Sequence, residues 1–258
     1  MKRLLSILGG GLLAATILTA CDSVAEDERF IPTEIVPRRA ILVEDYTGQK
    51  CTNCPDGHKA IQEITAALGD SVVAVGIHAS DLAVNPPLGL KTATGEEYFR
   101  SAGSPPLPAG VINMQTDPLQ VSDWGRTINK LIVDPTPFTV KAEAELDGDM
   151  YNIKVAFSSG EDYEGKLMVW ICENDIVRQQ LDHGVTINNY VHNHVFRAAV
   201  TSDIWGQPVS LKAHEPQHAD FSYKIEPTYY WNTDNIYVVA FLYNSAGVAQ
   251  VTTSSQHH

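Results

Sequence analysis

Two cysteines three apart, Cys51 and Cys54, are the residues of this chain whose type and spacing could do chemistry. They lie in the stretch RAILVEDYTGQKCTNCPDGHKAIQEITAAL, Arg39 to Leu68. An apolar run leads into a polar turn, the turn delivers both thiols, and a helix-like pattern follows. A strand-to-helix junction suits reversible disulfide chemistry, because the unpaired N–H groups and positive dipole end of the helix stabilise a thiolate. Two other uses of the pair stay open: a static disulfide that staples the loop, and half of a zinc site. Zinc needs two more ligands, and His58, on the same helix face as both cysteines by spacing, supplies one at most. Haem attachment through Cys-x-x-Cys-His is excluded because Pro55 follows Cys54.

The elements that must hold this pair can be read outward from it. Ala40 to Val43 is short and continuously apolar, as in a strand buried on both faces. Asp45-Tyr46-Thr47-Gly48 is expected to turn the chain. Ala60, Ile61, Ile64, Ala67 and Leu68 recur at helical spacing, with Pro55 in the first turn and Gly69 at the stop. Ser71 to Ile77 reads as a second buried strand. His78 to Gly95 reads as a long connection and a flap beside the cysteines, and Glu96 to Ala102 as a short helix. Ala109 to Met114 follows as a third strand and Ser122 to Val133 as a helix. Asp134-Pro135-Thr136-Pro137 breaks the pattern and marks a domain boundary. Beyond it, Phe138 to Leu146 and Tyr151 to Phe157 alternate as a hairpin does. Lys166 to Cys172 reads as a central strand, Asp220 to Ile225 alternates, and Ile236 to Tyr243 pairs with Val248 to Thr252. The expected organisation is an α/β domain over 38–134, an all-β sandwich of immunoglobulin-like kind over 135–253, and a loose tail over 254–258. Ile176 to Pro208 is long for a sandwich connection, suited to covering the interface between domains or to binding something.

The chain begins MKRLLSILGGGLLAATILTAC, a basic start at Lys2 and Arg3 joined to an apolar stretch. That stretch is shorter than the roughly 20 residues of a spanning helix, so residues 1–20 read as an export signal. Leu18-Thr19-Ala20-Cys21 resembles a bacterial lipobox, which implies cleavage before Cys21 and lipid attachment to its sulfur. An ordinary secretory signal with Cys21 as an accidental thiol is the alternative. Residues 21–37 are acidic and poor in apolar groups, as in a solvated tether. Loss of Lys2 and Arg3 takes the formal net charge from -13 to -15, which disfavours nucleic acid and anionic headgroups as partners. Membrane contact is therefore expected through the lipid alone, and the oxidising compartment allows the cysteine pair to rest as a disulfide.

Strand, Cys-x-x-Cys, helix, strand, insertion, helix, proline-led strand and final helix, in that order from Arg38 to Val133, resemble the thioredoxin fold. The resemblance implies that Cys51 is the exposed nucleophile and Cys54 the buried resolving thiol. It makes Pro108, after Leu107, the cis-proline that faces the disulfide and pairs with a substrate strand, with Pro105 and Pro106 as rivals. It puts the buried acid on Asp45, six residues before Cys51, with Glu44 as the rival; such an acid takes the proton from Cys54 during exchange. Lys50 stands where thioredoxins usually have tryptophan, and Thr52-Asn53 where they have Gly-Pro.

Glu44 to Pro55 (EDYTGQKCTNCP), the lipobox, and Tyr190-Val191-His192-Asn193-His194-Val195 together are similar to the twenty-eight-kilodalton outer-membrane protein family, thioredoxin-like lipoproteins of gut and oral anaerobes. This resemblance spans the mature chain and implies an outer-membrane lipoprotein, in the periplasm or on the cell surface. Three functions follow as expectations. The first is thiol–disulfide exchange on a disulfide-containing envelope protein, with no cofactor. The second is binding or adhesion through the sandwich or the insertion Ala79 to Gly95, and the third a structural envelope role. Cys172, in LMVWIC, reads as a buried, inert thiol. His192 and His194, with His183 nearby, read as packing rather than a metal site, for want of a nearby third ligand. Tyr229, Tyr230 and Trp231 read as packing before a strand.

Overall fold

β1 (Ile41–Thr47) is buried along its whole length, because neighbours pair with both of its edges and apolar clusters cover both of its faces. The strand runs through Asp45, where a turn was expected, and the chain turns only after Thr47. The structure is a computed structural model that describes residues 38–225 and 231–254. The signal peptide, Cys21, the tether, Tyr229, Tyr230 and residues 255–258 lie outside the described residues.

α1 (Cys54–Leu68) has proline in its first turn and gives way at Gly69, whose φ is 56°. β2 (Val72–His78) then returns parallel to β1. α2 (Ala93–Ser101) starts earlier than the Glu96 expected, because Thr92 caps it by accepting from the Gly95 N–H at 3.0 Å. β3 (Ala109–Ile112) pairs antiparallel with β1 on its other edge. α3 (Val121–Leu131) buries Trp124 and Ile128 against the sheet.

After residues 134–137 the chain is almost wholly β. β4 (Phe138–Asp147) and β5 (Met150–Ser159) form the expected hairpin, turning at Gly148. β6 (Tyr163–Glu173) is the central strand. The stretch read as a long connection holds three strands and the start of a fourth: β7 (Ile176–Asp182), β8 (Val185–His192), β9 (Val195–Ala199) and β10 (Gln207–Leu211). β11 (Gln217–Lys224), β12 (Ile236–Asn244) and β13 (Gly247–Thr253) are the last strands among the described residues.

These strands make several sheets. The largest runs β13-β12-β6-β9-β2-β1-β3, with β10 on β6, so strands from both halves of the sequence share it. The join is narrow: β2 meets β9 at Gly76 opposite Val195, with the Gly76 N–H donating to the His194 carbonyl at 2.7 Å. The sheet also curls until its ends meet. Val248 N–H donates to the Asn113 carbonyl at 2.9 Å, Asn113 Nδ2 returns a bond to the Val248 carbonyl at 2.9 Å, and Ala40 N–H donates to Gln250 Oε1.

One face of the sheet joins Leu42, Val75, Met168, Trp170, Phe196 and Phe241 with Tyr98 and Phe99 of α2 in a single apolar cluster. On the opposite face, α1 and α3 cover Ile41, Val43, Ala74 and Ile112. The separate sheet β11-β5-β4 packs Ile153, Val155 and Phe157 against Val169, Ile171 and Val238 of β6 and β12. Ser254, expected to begin a loose tail, is buried: its N–H donates to the Val238 carbonyl and its Oγ accepts from the Val238 N–H. β7 and β8 pair only with each other and form a two-stranded arm.

Candidate functional site

Alternation along β1 separates the two rival acids. Glu44 falls with Leu42 and Tyr46 on the face of the aromatic cluster, whereas Asp45 falls with Ile41 and Val43 on the face covered by α1. Both are buried. Tyr46 OH donates to Glu44 Oε1 at 3.4 Å; burial pushes the Glu44 carboxyl up to about 7, against the downward pull of that hydrogen bond. Asp45 has no hydrogen bond to either oxygen, and burial pushes its carboxyl up to about 8, so it is protonated near neutrality. Its partners across the sheet are Gly76 on β2 and Gly110 on β3; the Trp124 ring fills the place that a side chain on Gly110 would take.

The first turn of α1 closes over Asp45. Cys54 opens that helix and is joined to Cys51 by a disulfide. Gly57 allows the approach: a Cβ there would lie 3.1 Å from Trp124, 3.4 Å from Pro108 Cβ and 3.5 Å from Asp45 Oδ1. The helix turn, Pro108 and Asp45 therefore meet. The Leu107–Pro108 bond is cis and leads directly into β3, while the bonds before Pro105 and Pro106 are not cis.

Cys51, expected to be exposed, is only 3% exposed. The arm covers it. Gln180, fully buried on β7, donates from Nε2 to the carbonyls of Gly48 at 3.2 Å and Cys51 at 3.0 Å. The tip of the arm holds Thr52, between the cysteines: His183 N–H donates to its carbonyl at 2.9 Å and Gly184 N–H to its Oγ1 at 2.8 Å. Leu181 N–H donates to the Gln49 carbonyl at 2.8 Å. The expected flap does flank the pair, since Lys50 N–H donates to the Leu82 carbonyl and Leu90 N–H to Gln49 Oε1. Lys50 itself is exposed.

Behind the disulfide lies a cleft of about 350 Å³, lined among others by Asp45, His58, His78, Tyr190 and His192. His58 sits one helical turn after Cys54. Its Nε2 lies 2.9 Å from Thr47 Oγ1 and 3.9 Å from Asp45 Oδ2, and its Nδ1 lies 2.7 Å from Tyr190 OH. His192 lies between the other two imidazoles, with ring centroids 6.0 Å from His58 and 5.2 Å from His78. Burial, then the neighbouring His194, lowers His58 to about 4; burial, then His58, lowers His192 to about 3; burial likewise holds His78 well below its ordinary value. The cluster is one of neutral imidazoles. Among the described residues no group of three His, Cys, Asp or Glu is arranged to hold a metal ion.

The three histidines singled out in the second half do not converge. His192 and His194 both line the cleft, but His194 Nδ1 lies 3.2 Å from Tyr237 OH, and His183 is exposed at the arm tip beside Asp182 and Asp56. His58 was legible only as a helix-face neighbour of the cysteines, and nothing in its spacing points to Tyr190 or His78. Cys172 is fully buried, and burial pushes its thiol up, which suits an inert role.

The profile of the family described as Outer membrane protein Omp28 matches residues 93–257, a span that begins after the cysteine pair. No curated protein matches the chain. Among solved structures, HBP35 of Porphyromonas gingivalis superposes with a TM-score of 0.69 at 15% identity, covering 84% of this chain and 75% of that one. Protein AGR_C_4864 from Agrobacterium tumefaciens superposes with a TM-score of 0.53 at 16% identity, covering 86% of this chain and 97% of that one. At such identities these likenesses concern the fold alone.

Proposed function

The chain belongs to the Omp28 outer membrane protein family, and from that premise we propose an envelope lipoprotein, held to the outer membrane by lipid on Cys21, whose Cys51–Cys54 pair exchanges disulfides with envelope proteins. One observation carries the reading: a disulfide opens the helix whose first turn, at Gly57, meets a buried, protonated Asp45 and a cis Pro108. The order β1-α1-β2-α2-β3-α3, with β2 parallel and β3 antiparallel to β1, supports a thioredoxin-like reading of residues 38–134. The sheet β11-β5-β4 packed on β6 and β12 supports a sandwich reading of residues 135–253.

In the oxidised state, a substrate thiolate attacks the Cys51 sulfur. A mixed disulfide forms, the Cys51–Cys54 bond breaks, and Cys54 leaves as a thiolate. Asp45 gives that sulfur its proton. A second substrate thiolate then attacks the substrate sulfur of the mixed disulfide and expels the Cys51 thiolate. The substrate gains a disulfide and the pair gains two electrons; run backwards, the same steps reduce a substrate disulfide. Because the arm covers Cys51, the substrate reaches it only after β7 and β8 are displaced.

The same arm favours a second reading. Its hydrogen bonds to Gly48, Cys51 and Thr52 suit a static disulfide that staples a loop of a binding or structural lipoprotein. The test is to incubate the full chain carrying Cys54→Ser with envelope extract and identify adducts by mass spectrometry. Reductant-sensitive adducts on Cys51, absent when Cys51→Ser is added, are the expected result. No adduct, together with a disulfide that dithiothreitol reduces only on unfolding, would favour the staple.

A further inference from the structure

We propose that His58 and Tyr190 form a proton relay that carries protons between Asp45, buried beneath the disulfide, and solvent at the surface of the arm. The proposal rests on the exchange reading and supplies what that reading lacks. Once Asp45 has given its proton to Cys54, a carboxylate remains that is 1% exposed and has no hydrogen bond. Such an ion is costly where no donor compensates it. His58 Nε2, at 3.9 Å, is the ring nitrogen paired with it. Thr47 Oγ1, two residues along the same face of β1 as Asp45, lies 2.9 Å from that nitrogen and keeps the ring edge turned to the strand.

The other ring nitrogen completes the path. Nδ1 lies 2.7 Å from the hydroxyl of Tyr190, which is half-buried on the arm. When the ionised Asp45 draws the ring from 3.9 Å to hydrogen-bond distance, Nε2–H gives its proton to the carboxylate while the Tyr190 hydroxyl gives its proton to Nδ1. The imidazole changes tautomer and stays neutral, and the tyrosine oxygen recovers its proton from solvent. His78 from β2, His192 from β8 and His194 beyond it also face the ring, and burial lowers all three. Arg197 acts on His78 and Arg178 on His192 in the same direction, while burial, then Asp182 and Asp45, raise Tyr190. While Asp45 keeps its proton, none of these groups holds His58 as a resident cation, which suits a shuttle that changes tautomer.

The test follows the Asp45 carboxylic proton itself. The oxidised full chain is transferred to deuterated buffer at about pH 6, below the value of about 8 that burial gives Asp45. Its carbonyl stretch, assigned by its loss in Asp45→Asn, reports exchange. Tyr190→Phe keeps the ring against His58 and His192 and removes only the hydroxyl; His58→Gln removes the shuttle. Each is expected to slow deuterium entry at Asp45 about tenfold, a modest share of what a positioned proton donor contributes, with backbone amide exchange and the Glu44 band unchanged. Equal rates in wild type and Tyr190→Phe would overturn the relay, as would wild-type exchange no faster than that of core amides. Reduction by dithiothreitol is a separate readout: a folded pair that cannot be reduced sinks the exchange reading, whatever the deuterium shows.

Discussion

β1 carries two acids side by side, and the regions they face differ more than their burial does. Glu44 looks into the apolar cluster with Leu42 and Tyr46 and shares a hydrogen bond with the Tyr46 hydroxyl. Asp45 looks toward α1, is flanked on the sheet by Gly76 and Gly110, and opens on a cleft with His58 and Tyr190. Desolvation raises both carboxyls. What separates them is a route: a histidine joins one acid to the surface. Burial makes a proton available near neutrality, and neighbours decide whether it can move.

The comparison can be broken most sharply at Asp45. Its folded value of about 8 lies above the unfolded 3.8, so stability is full below 3.8 and is lost as pH rises through about 8, because the unfolded chain ionises first. Asp45→Asn should remove that loss, gaining about 4 kcal/mol at pH 7, with denaturant midpoints flattened across this window. An unchanged pH slope would mean the acid is not desolvated as the structure has it. Glu44→Gln should act in the same direction but less, about 3 kcal/mol at pH 7, over the window from 4.5 to about 7. A pH slope unchanged by Glu44→Gln would mean that this carboxyl is not desolvated as the structure has it.

Smaller effects separate packing from proton chemistry. A Cβ on Gly110 would lie 2.4 Å from the Trp124 ring, so Gly110→Ala should cost about 2 kcal/mol in chemical denaturation by forcing that ring off the site. Thr92→Ala removes the cap of α2, which covers the aromatic cluster; it should cost about 1 kcal/mol and leave the infrared band of Asp45 where it was. A shifted Asp45 band in Thr92→Ala would show that the two faces are coupled.

Much of the fold was legible because its signals are local. The apolar run at Ala40 to Val43, the helical spacing from Ala60 to Leu68 and the alternation of Phe138 to Phe157 all appear as elements close to where they were read. Val185 to His192 was missed because its outward residues, including Val185 and Val191, are exposed, and alternation without a buried face reads as loop. The join between β2 and β9 was not legible either: a single opposed pair, Gly76 and Val195, leaves no pattern.

For the site, the chain alone determined the chemistry at hand: two cysteines at a helix start, an acid before them, a proline leading a strand. Those are properties of residue type and short spacing, which the backbone's 2.0 and 3.6 periods convert into place. Tertiary structure alone decided which acid lies under the helix, since one residue of strand register reverses the face. It also decided that Cys51 is covered, because the cover comes from Gln180 and His183, more than a hundred residues away. Contacts between distant segments depend on how several sheets close together, and no local spacing encodes that closure.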